Sequence, residues 1–259
     1  MTARVEISAP GELLPWDTEF FQCRLGRVLG DTLDDQRAFA VDDWAQSEQI
    51  KGLYFLARVD CPSTLQIANR HGFELVDIRV TFEHPVLNAR ETDSAQLWSE
   101  VVIRAARPED LPGLQAIART AHTDTRFFTD HHFPRPLAEK LYSTWITLDC
   151  QGRAQKVFVA VSPADLPLGY ISCHLDVADN AGQIGLVGVS QAARGRGLGR
   201  QLVLTALNWL AARAAQKVKV VTQGKNLPAQ RLYQRCGFVT RDLQLWHHKW
   251  YPLSLNHHA

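Results

Sequence analysis

The chain has 259 residues, enough for one large domain or two modest ones. Hydrophobic residues make up 46% of it and charged residues 21%, which is typical of a globular protein and excludes extensive disorder. The formal net charge is +1, so the sequence lacks the basic excess of a general nucleic-acid or membrane-surface binder.

Cysteine usage and hydropathy predict the compartment. The five cysteines are odd in number and widely spaced, so they indicate neither a disulfide framework nor a zinc site. No apolar run reaches the roughly 18 residues that span a bilayer, and the first ten residues contain no apolar core of signal-peptide length. We therefore expect a cytoplasmic protein without a metal and without nucleic-acid or membrane partners.

The first elements in chain order fall in residues 1–87, the first of two predicted domains. Residues 51–57 predict a strand, residues 63–70 a short helix, and residues 74–82 a second strand. A similar strand–helix–Gly-Phe–strand order recurs near the end of the chain, which a partial duplication or a common α/β arrangement would both explain. The polar residues 88–99 predict a linker.

Residues 100–259 predict the second domain. Its predicted strands and helices alternate in a fixed order: strand 101–104, helices from Arg107 to Ala121 and over 136–148, strands 156–161, 169–175 and 183–189, helix 199–215, strand 217–222, helix 228–235 and last strands with Phe238 and 243–250. This order predicts a three-layer α/β fold around a mixed sheet.

The strongest local signal is a glycine-rich turn between a strand and the long helix. The strand ends in Val187, Gly188 and Val189, and the turn reads Arg194-Gly195-Arg196-Gly197-Leu198-Gly199-Arg200. Main-chain N–H groups in such a turn, together with the start of a helix, bind anions, and glycine lets a pyrophosphate approach closely. The spacing fits neither the dinucleotide-binding nor the Walker pattern, which leaves a turn that only packs the helix as the alternative.

These residues resemble a known family. Arg194-x-x-Gly197-x-Gly199 after a Val-x-Val strand is similar to the acyl-CoA pyrophosphate loop of the GNAT N-acetyltransferases. Asn226, Ala229, Tyr233 and Gly237-Phe238 are similar to that family's downstream segment, so the resemblance covers about residues 101–250. It implies a GNAT fold that binds acetyl-CoA as a cosubstrate at the strand, the turn and Asn226.

The resemblance also implies a mechanism. The strand with Val187–Val189 would be splayed from its neighbour, and its main-chain groups would pair with the pantetheine arm as an added strand would. A main-chain N–H near Val189 would polarise the thioester carbonyl. The amine would attack directly, and Tyr233 would protonate the departing thiolate, unless Tyr233 is only a packing residue.

No single residue stands out as the base that an ammonium acceptor requires. His174 and Asp176 lie on one face of a strand beside the expected splay. His122, Asp124 and the pair His131 and His132 lie in a loop that borders the acceptor pocket in this family. A chain of water molecules is a further alternative.

The acceptor is suggested by a thinner resemblance. The segments around Trp16 and Phe20, and around Arg126 and Phe127, resemble bacterial TDP-fucosamine acetyltransferases. That resemblance implies a degenerate GNAT-like N-terminal half-domain and a TDP-linked 4-amino sugar as acceptor. Such an acceptor needs cations for its pyrophosphate and flat faces for its rings, so we expect these four residues and His174 to bind it. A domain-interface core is the alternative for the cluster around Trp16. Another amine acceptor (a small amine, an amino acid, an antibiotic or a protein N-terminus) and a non-catalytic acyl-CoA sensor remain alternatives. The oligomeric state stays open, with a homodimer as one option.

Overall fold

The computed structural model describes residues 9–85 and 100–252, and they form two compact units. The first unit contains residues 9–79, 129–134 and 243–252, and the second contains 80–85, 100–128 and 135–242. The predicted domains were continuous in sequence, whereas each of these units combines separate segments of the chain. Residues 129–134 and 243–252, from the second predicted domain, belong to the first unit. The predicted linker, 88–99, lies outside the described residues.

The first unit combines helices with a small mixed sheet. Its elements are β1 (Gly11–Leu13), α1 (Pro15–Phe21), β2 (Leu25–Val28), α2 (Asp35–Ser47), β3 (Gly52–Arg58), α3 (Pro62–Arg70), the start of β4 (Glu74–Pro85) and the end of β10 (Val239–Trp250). β2 runs parallel to β3, and the other edge of β3 pairs antiparallel with the end of β10. The four elements before β3 were not predicted, and three of them, β1, α1 and β2, are too short to show a clear period.

The second unit contains the larger sheet. Its elements are the end of β4, β5 (Val102–Ala105), α4 (Leu111–Ala121), α5 (Arg126–Thr129), α6 (Arg135–Leu148), β6 (Lys156–Val161), β7 (Pro167–Asp176), β8 (Ala181–Val189), α7 (Leu198–Ala211), β9 (Lys217–Gln223), α8 (Leu227–Arg235) and the start of β10. β5 to β8 pair antiparallel in sequence order, and β8 pairs parallel with β9.

Helices cover both faces of this sheet, so the predicted three-layer α/β fold is confirmed. Ile171 and Cys173 of β7 face the core beneath α7, which contains Leu202 and Leu210. The alternate residue Tyr170 faces the other side, where His122 lies at the end of α4. Strand β8 is thereby held between two helical layers, with its C-terminal end leading into the glycine turn.

Two further predictions can be compared with the structure. All five cysteines carry free thiols, as the spacing predicts. Among the described residues, no helix combines the length and the apolar character that crossing a membrane requires.

Candidate active site

The glycine turn leaves the start of α7 open. Gly195 and Gly197 have φ values of 77° and 81°, in the left-handed region that favours glycine. Gly197 is the N-cap of the 14-residue helix α7, and no side chain of the described residues caps the first N–H groups. A Cβ built on Gly195 would meet no atom within 4 Å. Open space, unsatisfied N–H donors and the positive end of a helix together fit a bound anion.

The neighbouring strands separate just before this turn. Within the described part of the chain, β8 and β9 pair only over Ala181–Ile184 and Lys217–Val220. Both continue beyond this point, β8 to Val189 and β9 to Gln223, without pairing to each other among the described residues. This is the splay that the family resemblance implies. One edge of β8 therefore keeps main-chain groups that an extended ligand can pair with.

Close packing against β7 fixes the path of β8 at the splay. A Cβ on Gly188 would lie 2.5 Å from Cε1 of Tyr170, so only glycine fits there. One step earlier the register between β7 and β8 shifts, and the Leu186 N–H donates to the buried Ser172 Oγ at 2.8 Å. Glycine at position 188 thus lets β8 pack closely against β7, and the predicted main-chain contact of Gly188 with the cofactor stays a prediction.

A cavity of about 390 Å³ follows the splayed edge and the turn. It is lined by the predicted cofactor residues Val187, Val189, Arg194, Gly195, Gly197, Leu198, Gly199 and Asn226, together with Tyr233 and residues at the end of α4. Gly188, Arg196 and Arg200 are not among its described lining residues. The structure therefore brings most of the sequence-predicted cofactor residues into one wall.

Tyr233 both packs and lines the cavity. The residue is 5% exposed, and its ring centroid lies 5.9 Å from that of Phe82 and 5.8 Å from that of Phe238. Burial raises the pKa of the phenol, so Tyr233 holds its proton at neutral pH. The two sequence interpretations of Tyr233 are therefore compatible, because the residue packs in the core and also lines the cavity.

Arg194 and Asn226 have structural partners that the sequence did not reveal. Arg194 Nε donates to the Val189 carbonyl oxygen at 3.2 Å, and Nη2 donates to the Thr120 carbonyl oxygen at 3.5 Å. The guanidinium thus joins the end of β8 to the end of α4, in addition to its predicted role toward phosphate. Asn226 Oδ1 accepts the Ala229 N–H at 3.2 Å and caps α8, which leaves its amide NH₂ group for a ligand.

Comparison with known proteins agrees with this geometry. A family model described as the acetyltransferase (GNAT) family matches residues 117–238, which include the splay, the turn and Tyr233. The chain carries a GNAT acetyltransferase domain. It is therefore an acyltransferase, and members of this family use acetyl-CoA.

Two relatives and one solved structure extend the match beyond the GNAT domain. The chain is 29% identical over 177 residues to a dTDP-fucosamine acetyltransferase from Escherichia coli, covering 68% of this chain and 71% of that protein. It is 26% identical over 201 residues to a mycothiol acetyltransferase from Nocardioides, covering 71% of this chain and 64% of that protein. A GCN5-related N-acetyltransferase from Sphaerobacter thermophilus shares the fold with a TM-score of 0.68 and 16% identity, over 93% of this chain and 76% of that one.

The predicted acceptor residues of this acetyltransferase fall into different environments. Trp16 and Phe20 stack in the first unit, with centroids 5.0 Å apart, and Trp16 is 38% exposed. Phe127, in the second unit, is 2% exposed and packs edge-on against Trp145, beneath the Arg126 guanidinium. Phe127 is therefore a core residue, which corrects the expectation that it offers a flat face to the acceptor.

Two of the candidate bases, His122 directly after α4 and His174 on β7, are not among the described residues of the cavity wall. His122 Nε2 lies 3.0 Å from the Tyr170 hydroxyl oxygen, and its ring stacks on Tyr142. Burial lowers the pKa of His122 to about 4, and the positive charge of Arg194 acts in the same direction. His174 Nε2 lies 3.9 Å from Oδ1 of the buried Asp149. Neither histidine is among the described residues that line the cavity.

The other two histidines belong to a cluster in the first unit that the sequence did not reveal. Asp130 Oδ2 accepts from His248 Nδ1 at 2.6 Å and from Trp250 Nε1 at 2.8 Å, while Oδ1 accepts from the main-chain N–H and Nδ1 of His132. Burial alone would raise the pKa of Asp130, but these hydrogen bonds hold it well below its ordinary value. The carboxylate thereby fixes residues 129–134 to the end of β10.

The same cluster is where a metal ligand set could form. One ligand atom each from Asp130, His131 and His132 lie within 4.8 Å of one another. Both oxygens of Asp130 already accept two hydrogen bonds each, so a metal ion would have to displace a donor. The hydrogen bonds account for the arrangement of Asp130 and His132 without an ion.

Proposed function

We propose that this acetyltransferase transfers the acetyl group of acetyl-CoA to the primary amine of a nucleotide-linked amino sugar of the TDP-4-amino-4,6-dideoxygalactose type. The observation that carries the proposal is the similarity to dTDP-fucosamine acetyltransferase, which extends over 68% of this chain and 71% of that protein. A match of this extent includes residues outside the GNAT domain, and those residues are where acceptor specificity would differ between family members.

Three features of the cavity support acetyl-CoA as its ligand. The open start of α7 with Gly195 and Gly197 would hold the diphosphate, and the splayed edge of β8 would pair with the pantetheine arm. The Asn226 amide would donate to the same arm. Acetyl-CoA supplies the acetyl group as a thioester.

Tyr233 would provide the proton that the thiolate leaving group needs. Its raised pKa keeps the phenol protonated, so Oη is available as a donor throughout the neutral range. An N–H of the unpaired β8 edge would hold the carbonyl oxygen as negative charge develops on it. The amine attacks directly, and no residue of this chain forms a covalent intermediate.

A different amine is the second candidate. The similarity to mycothiol acetyltransferase covers 71% of this chain at 26% identity, close to the extent of the first match. Both relatives are acetyltransferases, so the two candidates agree on the donor chemistry and differ only in the acceptor.

A thiol-release assay over a panel of acceptors tests the proposal. Purified protein is given acetyl-CoA with TDP-4-amino sugars, free amino sugars, simple amines, amino acids and the mycothiol precursor amine. We expect the highest kcat/KM with a TDP-4-amino sugar and no release above background when its amine is replaced by hydroxyl. A higher kcat/KM with an amine that lacks a nucleotide would overturn the proposed acceptor.

A further inference from the structure

The cavity contains one carboxylate that the reaction described so far does not use. Asp124 is the only acidic residue, and Arg194 the only basic one, among the described residues that line it. Arg194 directs its guanidinium to two main-chain carbonyl oxygens. Asp124 is exposed, and it forms no hydrogen bond or ion pair with any part of the chain that the structure describes. Its charge is therefore available to a ligand.

A second feature makes the same wall favourable to a cation. The last residues of α4, Thr120 and Ala121, line the cavity beside Asp124. The C-terminal end of an α-helix carries a partial negative charge from its unpaired carbonyl groups. α4 has 11 residues, long enough for this effect. Arg194 donates to one of its last carbonyl groups, that of Thr120, and the remaining terminal carbonyl groups act together with the carboxylate.

The ligand that matches this wall is the acceptor rather than the donor. A primary alkyl amine is mostly an ammonium ion near neutral pH, whereas the diphosphate of acetyl-CoA is anionic and would be repelled by a carboxylate. The glycine turn and the start of α7 already suit the anion. Asp124 thus gives the cavity a group that binds cations, in addition to the glycine turn that suits anions.

The other residues that could handle the amine lie elsewhere. His122 is engaged with Tyr170, and His174 lies beside Asp149. His131 and His132 belong to the first unit. Among the candidate residues for handling the amine that the sequence analysis named, Asp124 is the one that lines the cavity in the described part of the chain.

We propose that Asp124 binds the ammonium group of the acceptor and positions its nitrogen for attack. The inference rests on the proposed function, because it needs an amine acceptor. The proton that the ammonium must lose passes to water, and Asp124 itself undergoes no covalent change. Asp124 is therefore a binding and positioning residue whose effect is electrostatic.

Replacement of Asp124 by asparagine tests the charge with little change of shape. A lost charge-assisted hydrogen bond should raise the KM for the acceptor by about 10- to 100-fold. The KM for acetyl-CoA should stay unchanged, since the glycine turn and the start of α7 are intact. Asp179→Asn is the matched control, because Asp179 is also exposed but lies in the turn between β7 and β8. An unchanged acceptor KM in Asp124→Asn would overturn the inference.

The pH dependence of kcat distinguishes an electrostatic role of Asp124 from a purely structural one. A carboxylate stabilises the bound ammonium and raises its pKa, so the acid limb of kcat should move to lower pH when Asp124 becomes neutral. A merely structural loss would lower kcat without moving this limb. An acid limb at the same pH in wild type and Asp124→Asn would therefore contradict the role of the carboxylate.

A binding measurement provides a readout independent of turnover. Calorimetry should show that wild type prefers the amino acceptor over its hydroxyl analogue, and that Asp124→Asn loses this preference. A preference retained by the variant would count against Asp124. If wild type acetylates another amine but not amino sugars, the proposed acceptor fails, and the same measurements with the accepted amine still decide the role of Asp124.

Discussion

Two regions of this molecule share one arrangement and differ in one detail. β3, α3 and β4 in the first half of the chain have the same lengths as β9, α8 and β10, and every bound of the second set lies 165 residues after the first. A strand, a turn and a helix come before each set, and that strand runs parallel to the first strand of the set. They are β2 and α2 before the first set, and β8 and α7 before the second. Such spacing is what a duplication predicts.

The difference lies in how each helix begins. α2 starts at Asp34, whose Oδ1 accepts the Arg37 N–H at 2.7 Å, and the next residue, Asp35, forms an ion pair with Arg70. α7 starts at Gly197 with no side-chain cap among the described residues. One helix start is thus occupied by the protein's own carboxylate, and the other is open at the place where we propose that the diphosphate binds. The proposed anion site therefore depends on the absence of a capping side chain at the start of α7.

The largest expected effect follows from introducing a carboxylate at the open turn. Gly197→Glu forces a side chain into the left-handed region and places negative charge in the anion site. We expect acetyl-CoA affinity to fall by at least roughly 100-fold in calorimetry. Gly30→Glu is the matched control, because Gly30 has a φ of 76° in the corresponding turn of the first unit. Equal losses in both variants would refute the assignment of the turn.

The second prediction concerns Tyr233, whose counterpart 165 residues earlier is Ala68. Tyr233→Phe keeps the packed ring but removes the phenolic proton, so we expect kcat to fall by about 100-fold. The dissociation constant of acetyl-CoA should not change. Tyr54→Phe, a buried tyrosine of the first unit, should keep full activity. Wild-type turnover in Tyr233→Phe would remove this residue from the mechanism.

The third prediction is that His122, in the second unit, makes the free energy of unfolding depend on pH in the acid range. The pKa of His122 is lowered to about 4 in the folded protein, below the value of about 6.5 expected in the unfolded chain. The unfolded state therefore binds the proton more readily, and stability is full above about pH 6.5 and declines as pH falls toward 4. We expect a loss on the order of 2 kcal/mol from this group in urea unfolding.

His122→Gln tests this assignment, because glutamine can hydrogen-bond to Tyr170 but does not titrate. Its unfolding free energy should depend less on pH between 6.5 and 4 than that of wild type. The control is His131→Gln, which replaces an exposed imidazole of the first unit. A pH dependence that is unchanged in His122→Gln would show that other groups cause it.

The smallest expected effect comes from emptying the occupied helix start. Asp34→Ala removes the N-cap of α2 and should lower the free energy of unfolding by about 1 kcal/mol. Asp34→Asn keeps a capping oxygen and should lose much less. Neither variant should alter acetyl-CoA affinity, and a change in that affinity would mean that the two helix starts are not functionally distinct.

The sequence predicted much of the second unit, because its signals are local. Strand 156–161 was predicted with the bounds of β6, and the helices 136–148 and 228–235 begin within one residue of α6 and α8. β-branched runs and helical periodicity determine such elements wherever the chain places them. The glycine turn was equally visible, since Gly195 and Gly197 adopt the positive φ that their identity permits.

The features that could not be predicted from the sequence depend on contacts between residues that are far apart along the chain. Asp130 is bound by His248, 118 positions away, and no local pattern connects them. The burial of Phe127 depends on Trp145, and the carbonyl partners of Arg194 depend on how α4 ends beside β8. Tertiary contacts of this kind override what neighbouring polar residues suggest.

The open start of α7 has a practical consequence for reading mutational data. The groups that we propose bind the diphosphate there are main-chain N–H groups, and every substitution except proline retains them. A scan that truncates side chains to alanine would therefore register little at Leu198 or Arg200 through hydrogen bonding. The site would instead show itself as intolerance of any side chain at Gly197, a signature that resembles a folding defect unless cofactor affinity is measured alongside.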